Sequence, residues 1–341
     1  MTAREVDLIE AVQPIRGLAL ATSLQHFFSR GLFDLLVSAP DTYTVADMAS
    51  KLNMVEERLK GLLRFLRNEG FVENLDGKVS LSNKAHRWSQ FRAWYEMMVG
   101  GYAGTFMGMG DALAKNSPPA ARNGALVGSG SCGISMHDAI PIVHRLLAEL
   151  DKPPGLVVDL GCGSGAYLTE ICRLYDGTRA IGIDPDAGGC SAAKLHVEEC
   201  GMSDRIEIVQ ADAIKYIKEM ATPPDLVLLC FVVHEVLGQD GEEAVMDMLK
   251  AAMSGGPNQR LIIIDIDHRI DEPAVMHHQL AQGYYNAYFL LHPFTSQRLE
   301  SQAYWDDLFK RCGFEIEVKH TTDPTLDSTN IELGWMLRRA Q

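Results

Sequence analysis

A glycine-rich turn between an apolar strand and an amphipathic segment is the first feature of this sequence with a chemical meaning. The apolar run 156–158 enters residues 159–165, which read Asp-Leu-Gly-Cys-Gly-Ser-Gly, and a helical pattern follows over 167–175. Such a turn lets the backbone approach a nucleotide and points the N–H groups of a helix N-terminus at it. The spacing is not the Gly-x-Gly-x-x-Gly of dinucleotide sites. We therefore predict a site for another nucleotide-containing ligand.

Acidic residues end the next two strands of the pattern. The strand 180–183 runs into Asp184, about 20 residues past the glycines, where an acid can hold ribose hydroxyl groups. The strand 206–209 is followed by Gln-Ala-Asp-Ala, which places Asp212 and Ala213 at the third strand end. Three such strand ends in a row predict a Rossmann-like α/β domain whose ligand lies at the carboxyl edge of a parallel sheet.

A histidine and a glutamate follow the fourth predicted strand, 225–230. Ligands of open parallel sheets bind outside the carboxyl ends of the strands, so we expect His234 and Glu235 at the mouth of the site. An imidazole with a pKa near about 6.5 can accept a proton at neutral pH. The alternative is a structural histidine that caps the following helix.

The segment after the fifth strand, 261–267, is rich in histidine, tyrosine and glutamine. We expect one helix from Glu272 to Leu291, because a proline is tolerated in its first turn and a second proline follows its end. One face of this helix would carry side chains at i, i+4, i+7 and i+11, namely His278, Gln282, Tyr285 and Phe289.

Three histidines could converge on the substrate cavity and hold a metal ion: His234, His278 and His292. Imidazoles suit Zn, Fe, Ni or Co, and a 2-oxo acid can chelate such an ion through its carboxylate and keto oxygens. The ion would act as a Lewis acid and stabilise the enolate formed when C3 loses a proton. The alternatives are a polar helix face without metal, and His277 in place of His278.

The first half of the chain reads as helices followed by a hairpin. Helical periodicity extends over 8–38, Thr44 is a plausible N-cap, and a second amphipathic helix covers about 54–69. Strands at 70–73 and 78–81 flank an Asp76-Gly77 turn. Helix, turn, helix and hairpin form a winged helix. Between 41 and 92, nine Lys or Arg stand against seven Asp or Glu, which disfavours nucleic-acid binding.

The rest of the pattern divides the chain into two domains. We expect loops at 117–119 and 128–131, and a helix from 135 to 150 that ends before the linker 151–155. Residues 1–150 would be the mostly helical winged-helix domain, and residues 151–341 the α/β domain. A last helix at 305–314 and an antiparallel hairpin, 315–319 with 331–337, complete the second domain.

Composition narrows the class of protein. The chain has 341 residues, 47% of them hydrophobic, and a formal net charge of −14, which argues against a polyanionic partner. No apolar stretch of about 18 residues or signal-peptide pattern is present, so we expect no membrane span. The 7 cysteines form no Cys-x-x-Cys pair and read as reduced thiols of a cytoplasmic protein.

The glycine turn with Asp184 and Asp212 resembles the class I S-adenosylmethionine (SAM)-dependent methyltransferases over roughly 150–340. The resemblance implies that SAM is the cofactor, that Asp184 holds its ribose and that Asp212 lies at the adenine end. By the same resemblance, Asp159 would lie near the methionine ammonium, and Gly161 and Gly163 would face the methionine part. Gly165, Ala213 and Cys230 are the remaining expected cofactor residues.

Along nearly its full length the chain also resembles two-domain O-methyltransferases. In that group the winged-helix domain serves dimerisation and closes over a small-molecule substrate, and a catalytic His-acid pair matches His234 and Glu235. A homodimer is therefore implied. The general alternatives are O-methylation of a phenol or hydroxyl by His234 without a metal, a SAM-sensing winged-helix regulator, and a Rossmann-like domain that binds another nucleotide.

Two further segments, 15–28 and 283–286, together with the histidine-rich segment, are similar to 2-oxo-acid C-methyltransferases of the 2-ketoarginine methyltransferase type. This similarity implies methylation of C3 of a 2-oxo acid, with Gln282, Tyr285 and Asp138 as expected substrate contacts. A substrate such as 5-guanidino-2-oxopentanoate would need carboxylates for its cation. The candidates are Glu235, Asp267, Asp271, Glu272 and Asp138.

Overall fold

Helices and a short hairpin form the first of two units, Met1–Gly101, in the computed structural model, which describes residues 1–75 and 77–340. Its elements are α1 (Ala3–Ser29), α2 (Leu32–Ser38), α3 (Val45–Lys51), α4 (Glu56–Asn68), β1 (Val72–Asn74), β2 (Ser80–Leu81), α5 (Asn83–Ser89), α6 (Arg92–Tyr95) and a π-helix (Glu96–Gly101). The antiparallel pair β1–β2 follows α3 and α4, which confirms the predicted winged helix.

The predicted N-cap at Thr44 and the helical pattern over 8–38 can both be compared with the structure of this unit. Thr44 caps α3, and its hydroxyl accepts from the N–H of Asp47 while Asp47 accepts from the N–H of Thr44. The single helix expected over 8–38 is wrong, because Gly31 adopts a left-handed φ of 71° and separates α1 from α2. Of the expected hairpin turn, Asp76 lies outside the described residues.

The second unit, Tyr102–Gln341, is an α/β domain preceded by three helices. These are α7 (Ala103–Ala112), α8 (Gly124–Ser135) and α9 (Ala139–Leu147). Residues 128–131, expected as a loop, lie inside α8. The helix that was expected to begin near residue 135 is α9, which begins at Ala139. The side chain of Asp138 accepts from the N–H of Ala139 and caps this helix.

A seven-stranded sheet in the order β5-β4-β3-β6-β7-β9-β8 is the core of this unit. The elements are β3 (Leu156–Leu160), α10 (Ala166–Leu174), β4 (Arg179–Asp184), α11 (Ala187–Glu199), β5 (Ile206–Gln210), α12 (Ala213–Glu219), β6 (Leu226–Cys230), α13 (Val233–Asp240), α14 (Glu242–Ala252), β7 (Arg260–Ile266), α17 (Gln302–Arg311), β8 (Phe314–Thr321) and β9 (Glu332–Arg339). Strands β3–β7 are parallel, and β8 and β9 form the predicted antiparallel hairpin.

The segment between β7 and α17 departs from the single helix expected over Glu272–Leu291. It consists of α15 (Pro273–Met276), a π-helix (Ala281–Tyr285), α16 (Asn286–Leu291) and a 3-10 turn (His292–Phe294). The N–H of Gln282 still bonds the carbonyl of His278, but the π-helix that follows has i to i+5 hydrogen bonds and so changes the i, i+4, i+7 spacing on which the expected face depends.

The division between the units falls at Gly101, whereas the sequence places the domain boundary near 150. Helix α9 explains the difference. Its apolar side chains Ile142, Val143 and Leu146 are buried in the same hydrophobic cluster as Ile264 of β7 and Met336 of β9. Helix α9 therefore covers one face of the sheet as part of the second unit. Among the described residues, no helix combines the length and apolar character needed to cross a bilayer.

Candidate active site

The glycine turn lies between β3 and α10 at the carboxyl edge of the sheet. Gly161, Gly163 and Gly165 have φ angles of 84°, 49° and 73°, a region that side chains rarely adopt. A Cβ added to Gly161 would lie 2.6 Å from Cγ2 of Val232, in the segment that follows β6. The turn therefore needs glycine both for its conformation and for its contact with the neighbouring strand end.

Asp159, near the end of β3, is buried with no counter-charge. It is 1% exposed, and neither of its carboxylate oxygens has a hydrogen-bond partner. Burial, together with the negative charge of Asp184, raises the pKa of Asp159 to about 8. An unpartnered buried carboxylate is costly unless a cation pairs with it. It fits the ammonium of a SAM methionine group.

The other expected cofactor residues lie at the ends of neighbouring strands. Asp184 ends β4, and its Oδ2 accepts from the N–H of Gly163 at 3.0 Å. Asp212 caps α12 through a 2.7 Å bond from the N–H of Lys215, and Ala213 begins that helix. Cys230 is the buried last residue of β6. The sheet thus places every residue of the expected SAM site on one edge.

His234 lies in the first turn of α13, directly after β6, and is 2% exposed. Its Nδ1 lies 2.9 Å from Oδ1 and 3.1 Å from Oδ2 of Asp265, which is completely buried in β7. Burial lowers the pKa of His234, but the charge and the hydrogen bond of Asp265 outweigh it, so the pKa is raised. A carboxylate only accepts, so Nδ1 carries the proton and Nε2 is left as a base.

The acid that bonds His234 is Asp265, and the expected partner Glu235 points elsewhere. Glu235 accepts two hydrogen bonds from the guanidinium of Arg122, at 3.0 and 3.3 Å, and one from Nε2 of Gln297 at 2.8 Å. Burial raises the pKa of Glu235, but its bonds with Arg122 outweigh it and leave that pKa lowered. Glu235 is therefore the ionised partner of a cation beside His234.

Sequence reasoning missed Asp265, Arg122 and Gln297 as parts of this site. A signal existed for Asp265, because it stands near the end of the fifth strand, and β6 and β7 are neighbours in the sheet. Arg122 and Gln297 lie in irregular segments before α8 and after the 3-10 turn. Their approach to Glu235 depends on how these segments fold, which no local pattern shows.

The three histidines expected to bind a metal are not brought together. His234 and His292 are neighbours, with ring centroids 5.3 Å apart. His278, in the break before the π-helix, pairs its Nε2 with Oγ of Ser328 at 3.1 Å. No group of three or more His, Cys, Asp or Glu side chains in the described chain is arranged to hold a metal ion. The expected set of three is therefore not assembled, and His278 is the member that has a different partner.

His292 is buried with one unsatisfied nitrogen. Its Nδ1 donates to the carbonyl of Tyr288 at 2.7 Å, and its Nε2 has no partner. Burial and the nearby His234 lower the pKa of His292 well below its usual value. The imidazole is therefore neutral and presents an Nε2 lone pair beside His234.

The three expected substrate residues have different surroundings. Gln282 is exposed, and its side chain donates to the carbonyl of His277 at 3.4 Å. Tyr285 is buried and donates to Oδ2 of Asp327 at 2.6 Å. Asp138 is buried at the start of α9. Gln282 is therefore at the surface, whereas Tyr285 and Asp138 are buried.

Comparison with known proteins agrees with this geometry. A family model described as a methyltransferase domain matches residues 157–256. The chain is 38% identical to 2-ketoarginine methyltransferase of Streptomyces arginensis, covering 99% of this chain and 97% of that protein. It is 27% identical to indolepyruvate C-methyltransferase of Streptomyces griseus over 69% of each.

A solved methyltransferase structure has a similar fold over the whole chain. The structure of mitomycin 7-O-methyltransferase matches this chain with a TM-score of 0.71, at 17% identity, over 100% of both chains. At that identity the match shows the fold alone. The full-length match to a named methyltransferase, with the glycine turn and the acids at three strand ends, shows that this chain is an enzyme of the SAM-dependent methyltransferase family.

Proposed function

We propose that this enzyme transfers the methyl group of SAM to C3 of a 2-oxo acid. The observation that carries the proposal is the buried His234–Asp265 pair beside the SAM turn. The names of two relatives support it, because both describe methyltransferases and each includes a 2-oxo acid, 2-ketoarginine or indolepyruvate.

The His234–Asp265 pair supplies the base. Asp265 fixes the Nδ1–H tautomer, so Nε2 of His234 takes a proton from C3 of the substrate and leaves an enolate. Electrons of the enolate form the new bond from C3 to the methyl carbon while the carbon–sulfur bond of SAM breaks. The products are S-adenosylhomocysteine and a 3-methyl-2-oxo acid, and His234 returns its proton to solvent.

Arg122 is the cation that would hold the carboxylate of the substrate. Two of its N–H donors bond Glu235, and a guanidinium has five donors, so donors remain for a second carboxylate. Glu235 and Gln297 would then position Arg122 rather than take a proton. This arrangement would hold the carboxylate of a 2-oxo acid near His234.

A divalent or ferric ion held by Nε2 of His234 and of His292 is an alternative to His234 as the base, because one lone pair cannot both bind an ion and accept a proton. The Nδ1 atoms of both are held by acceptors, Asp265 and the Tyr288 carbonyl, an arrangement typical of metal-binding histidines. When bound, Zn, Fe, Ni or Co would polarise the 2-oxo group. Metal analysis and an assay after chelation test this alternative. Full activity of metal-free protein leaves His234 as the base alone, and activity restored by one ion makes its Nε2 a ligand.

O-methylation remains the second candidate function, because a His–Asp pair can equally deprotonate a phenol or hydroxyl group. Mass spectrometry of reactions with SAM and a panel of acceptors separates the two. The panel contains 5-guanidino-2-oxopentanoate, phenylpyruvate, 4-methyl-2-oxopentanoate and a catechol. Methylation of a 2-oxo acid supports the proposal, and methylation of the catechol alone overturns it.

A further inference from the structure

Three buried carboxylates of the second unit interact with one another. This carboxylate cluster consists of Asp138, Asp327 and Glu332, which are 6%, 4% and 2% exposed. Asp138 and Glu332 share a hydrogen bond. Asp327 accepts from the hydroxyl of Tyr285 at 2.6 Å. The cluster therefore joins the start of α9, the loop after β8 and the first residue of β9.

One oxygen of the carboxylate cluster lacks a partner. Oε1 of Glu332 is buried and makes no hydrogen bond. Within the part of the chain that the structure describes, none of the three carboxylates forms an ion pair with a lysine or arginine. Burial, and the charge of Asp138, raise the pKa of Glu332 well above its usual value. Buried acids without a counter-charge are costly, and a cationic ligand would remove that cost.

Aromatic side chains connect the carboxylate cluster with the catalytic histidine. Ring centroids are 5.7 Å apart between Tyr284 and Tyr288, 4.2 Å between Tyr288 and His292, and 5.3 Å between His292 and His234. Tyr284 lies near the cluster, since its pKa is raised by burial and then by the charges of Asp138 and Glu332. Tyr284, Tyr288 and His292 therefore form a row of rings, called here the tyrosine row, that extends from the carboxylate cluster to His234.

The structure points to the carboxylate cluster as the binding site for a guanidinium group at the far end of a linear 2-oxo acid whose C3 lies at His234. A guanidinium offers five donors in a plane that matches two carboxylates, and the methylene chain of the substrate would lie along the tyrosine row. This inference rests on the proposed function. It makes Glu332 and Asp327 specificity-determining residues for that reaction.

The other four acids considered for this role lie outside the carboxylate cluster. Glu235 bonds Arg122, and Glu272 bonds Arg269. Asp267 accepts from the N–H of Gln302 at 2.6 Å, and Asp271 lies at the surface. Of the five expected candidates, Asp138 alone belongs to a buried acidic group with an unpartnered oxygen.

The test compares one variant on two classes of substrate. We expect Glu332→Gln to lower kcat/KM for 5-guanidino-2-oxopentanoate by about 30-fold or more, because it removes one carboxylate of a buried charge pair. The same variant should change kcat/KM for 4-methyl-2-oxopentanoate by no more than about threefold, since that substrate has no cation to lose. Glu315→Gln, the same change at an exposed residue of β8, is the matched control.

Asp327→Asn provides a second variant if Glu332→Gln does not fold, and it should show the same substrate-dependent loss. Equal losses on both substrates, or no loss on the guanidino substrate, would overturn the inference. Wild-type enzyme that methylates uncharged 2-oxo acids better than the guanidino acid overturns the inference and leaves the proposed function standing. Wild-type enzyme that methylates neither class overturns both.

Discussion

At the residue scale, the candidate site contains two buried aspartates that differ in whether the protein supplies a partner for the carboxylate. Asp265 has a permanent partner in His234, whereas Asp159 has no partner in the protein. A buried acid that keeps a protein partner orients that partner. A buried acid without one is prepared for a cationic ligand. We therefore propose that Asp265 acts in the chemistry and that Asp159 acts in cofactor binding.

Removing the charge of Asp265 tests the first role. We expect Asp265→Asn to lower kcat by about 10²–10⁴-fold, because the amide no longer stabilises the Nδ1–H tautomer or the imidazolium of His234. The affinity for SAM, measured by calorimetry, should stay unchanged. Asp247→Asn, at an exposed position of α14, is the control. A loss of less than tenfold with the fold intact would show that His234 does not depend on Asp265.

The second role predicts how SAM binding depends on pH. The pKa of Asp159 is raised from 3.8 to about 8, so the ligand-free fold holds a proton that the unfolded chain releases. Stability of the ligand-free protein therefore falls as pH rises through this interval. A cationic ligand needs the ionised carboxylate, so SAM should bind up to about tenfold more tightly for each pH unit toward 8.

Titration calorimetry between about pH 6 and 8.5 measures this dependence. Asp159→Asn should bind SAM more weakly and with a flatter pH profile, because an amide has no proton to release. An identical profile for the variant and the wild type would contradict the role given to Asp159. Proton release, measured in two buffers of different ionisation enthalpy, should accompany binding only in the wild type.

At the scale of elements, the strand ends were predictable and the segments between them were not. Apolar runs followed by Asp159, Asp184 or His234 predicted strands and a ligand at their carboxyl ends, and the sheet confirms those strands. The helix expected over 272–291 is broken into short pieces. The spacing from His278 to Gln282 is helical as predicted, but the π-helix Ala281–Tyr285 changes which of the later side chains share that face.

The contact between the glycine turn and the segment after β6 gives a prediction about two elements. Gly161→Ala should lower the free energy of unfolding by about 1–3 kcal/mol, because alanine disfavours the positive φ and its Cβ meets Val232. The double variant Gly161→Ala/Val232→Ala should recover part of the loss relative to Val232→Ala alone. Urea unfolding measures both. Full additivity of the two changes would show that the contact does not limit position 161.

At the scale of the whole molecule, the first unit leaves an apolar helix surface uncovered. Leu8, Ile15 and Leu18 of α1 are 62%, 67% and 62% exposed. Exposed apolar patches of this kind on one element typically mark an interface. The homodimer implied by the family resemblance has this surface as its candidate interface. The cytoplasmic location expected from the cysteine content stays a prediction.

The dimer has a direct test. We expect light scattering after size-exclusion chromatography to give twice the 37.6 kDa mass of the chain. Leu8→Glu/Ile15→Glu should shift the protein toward the monomer, because charges at an apolar interface lose their hydration. Leu174→Glu, an exposed apolar residue of α10, is the control. A monomeric wild type, or a double variant that stays dimeric, would contradict α1 as the interface.

Substrate selection was the least predictable property of the molecule. The sequence identified Asp138 among five acids, and the structure adds Glu332 and Asp327, which lie almost 200 residues further along the chain. Strand β9 pairs with β7 with Glu332 opposite Ile266, which brings an acid of the C-terminal hairpin to the edge of the sheet that carries His234. Such long-range pairing leaves no signal in local sequence.

The central claim is that the methyl group is transferred to C3 of a 2-oxo acid. The most direct measurement follows deuterium at C3 during a single reaction of 5-guanidino-2-oxopentanoate with SAM, by mass spectrometry and NMR. We expect a product with a new C3-methyl group that has lost one C3 deuterium, and we expect it only when His234 is intact. A methylated product that retains both C3 deuterium atoms, or carries the methyl group on oxygen or nitrogen, would contradict it.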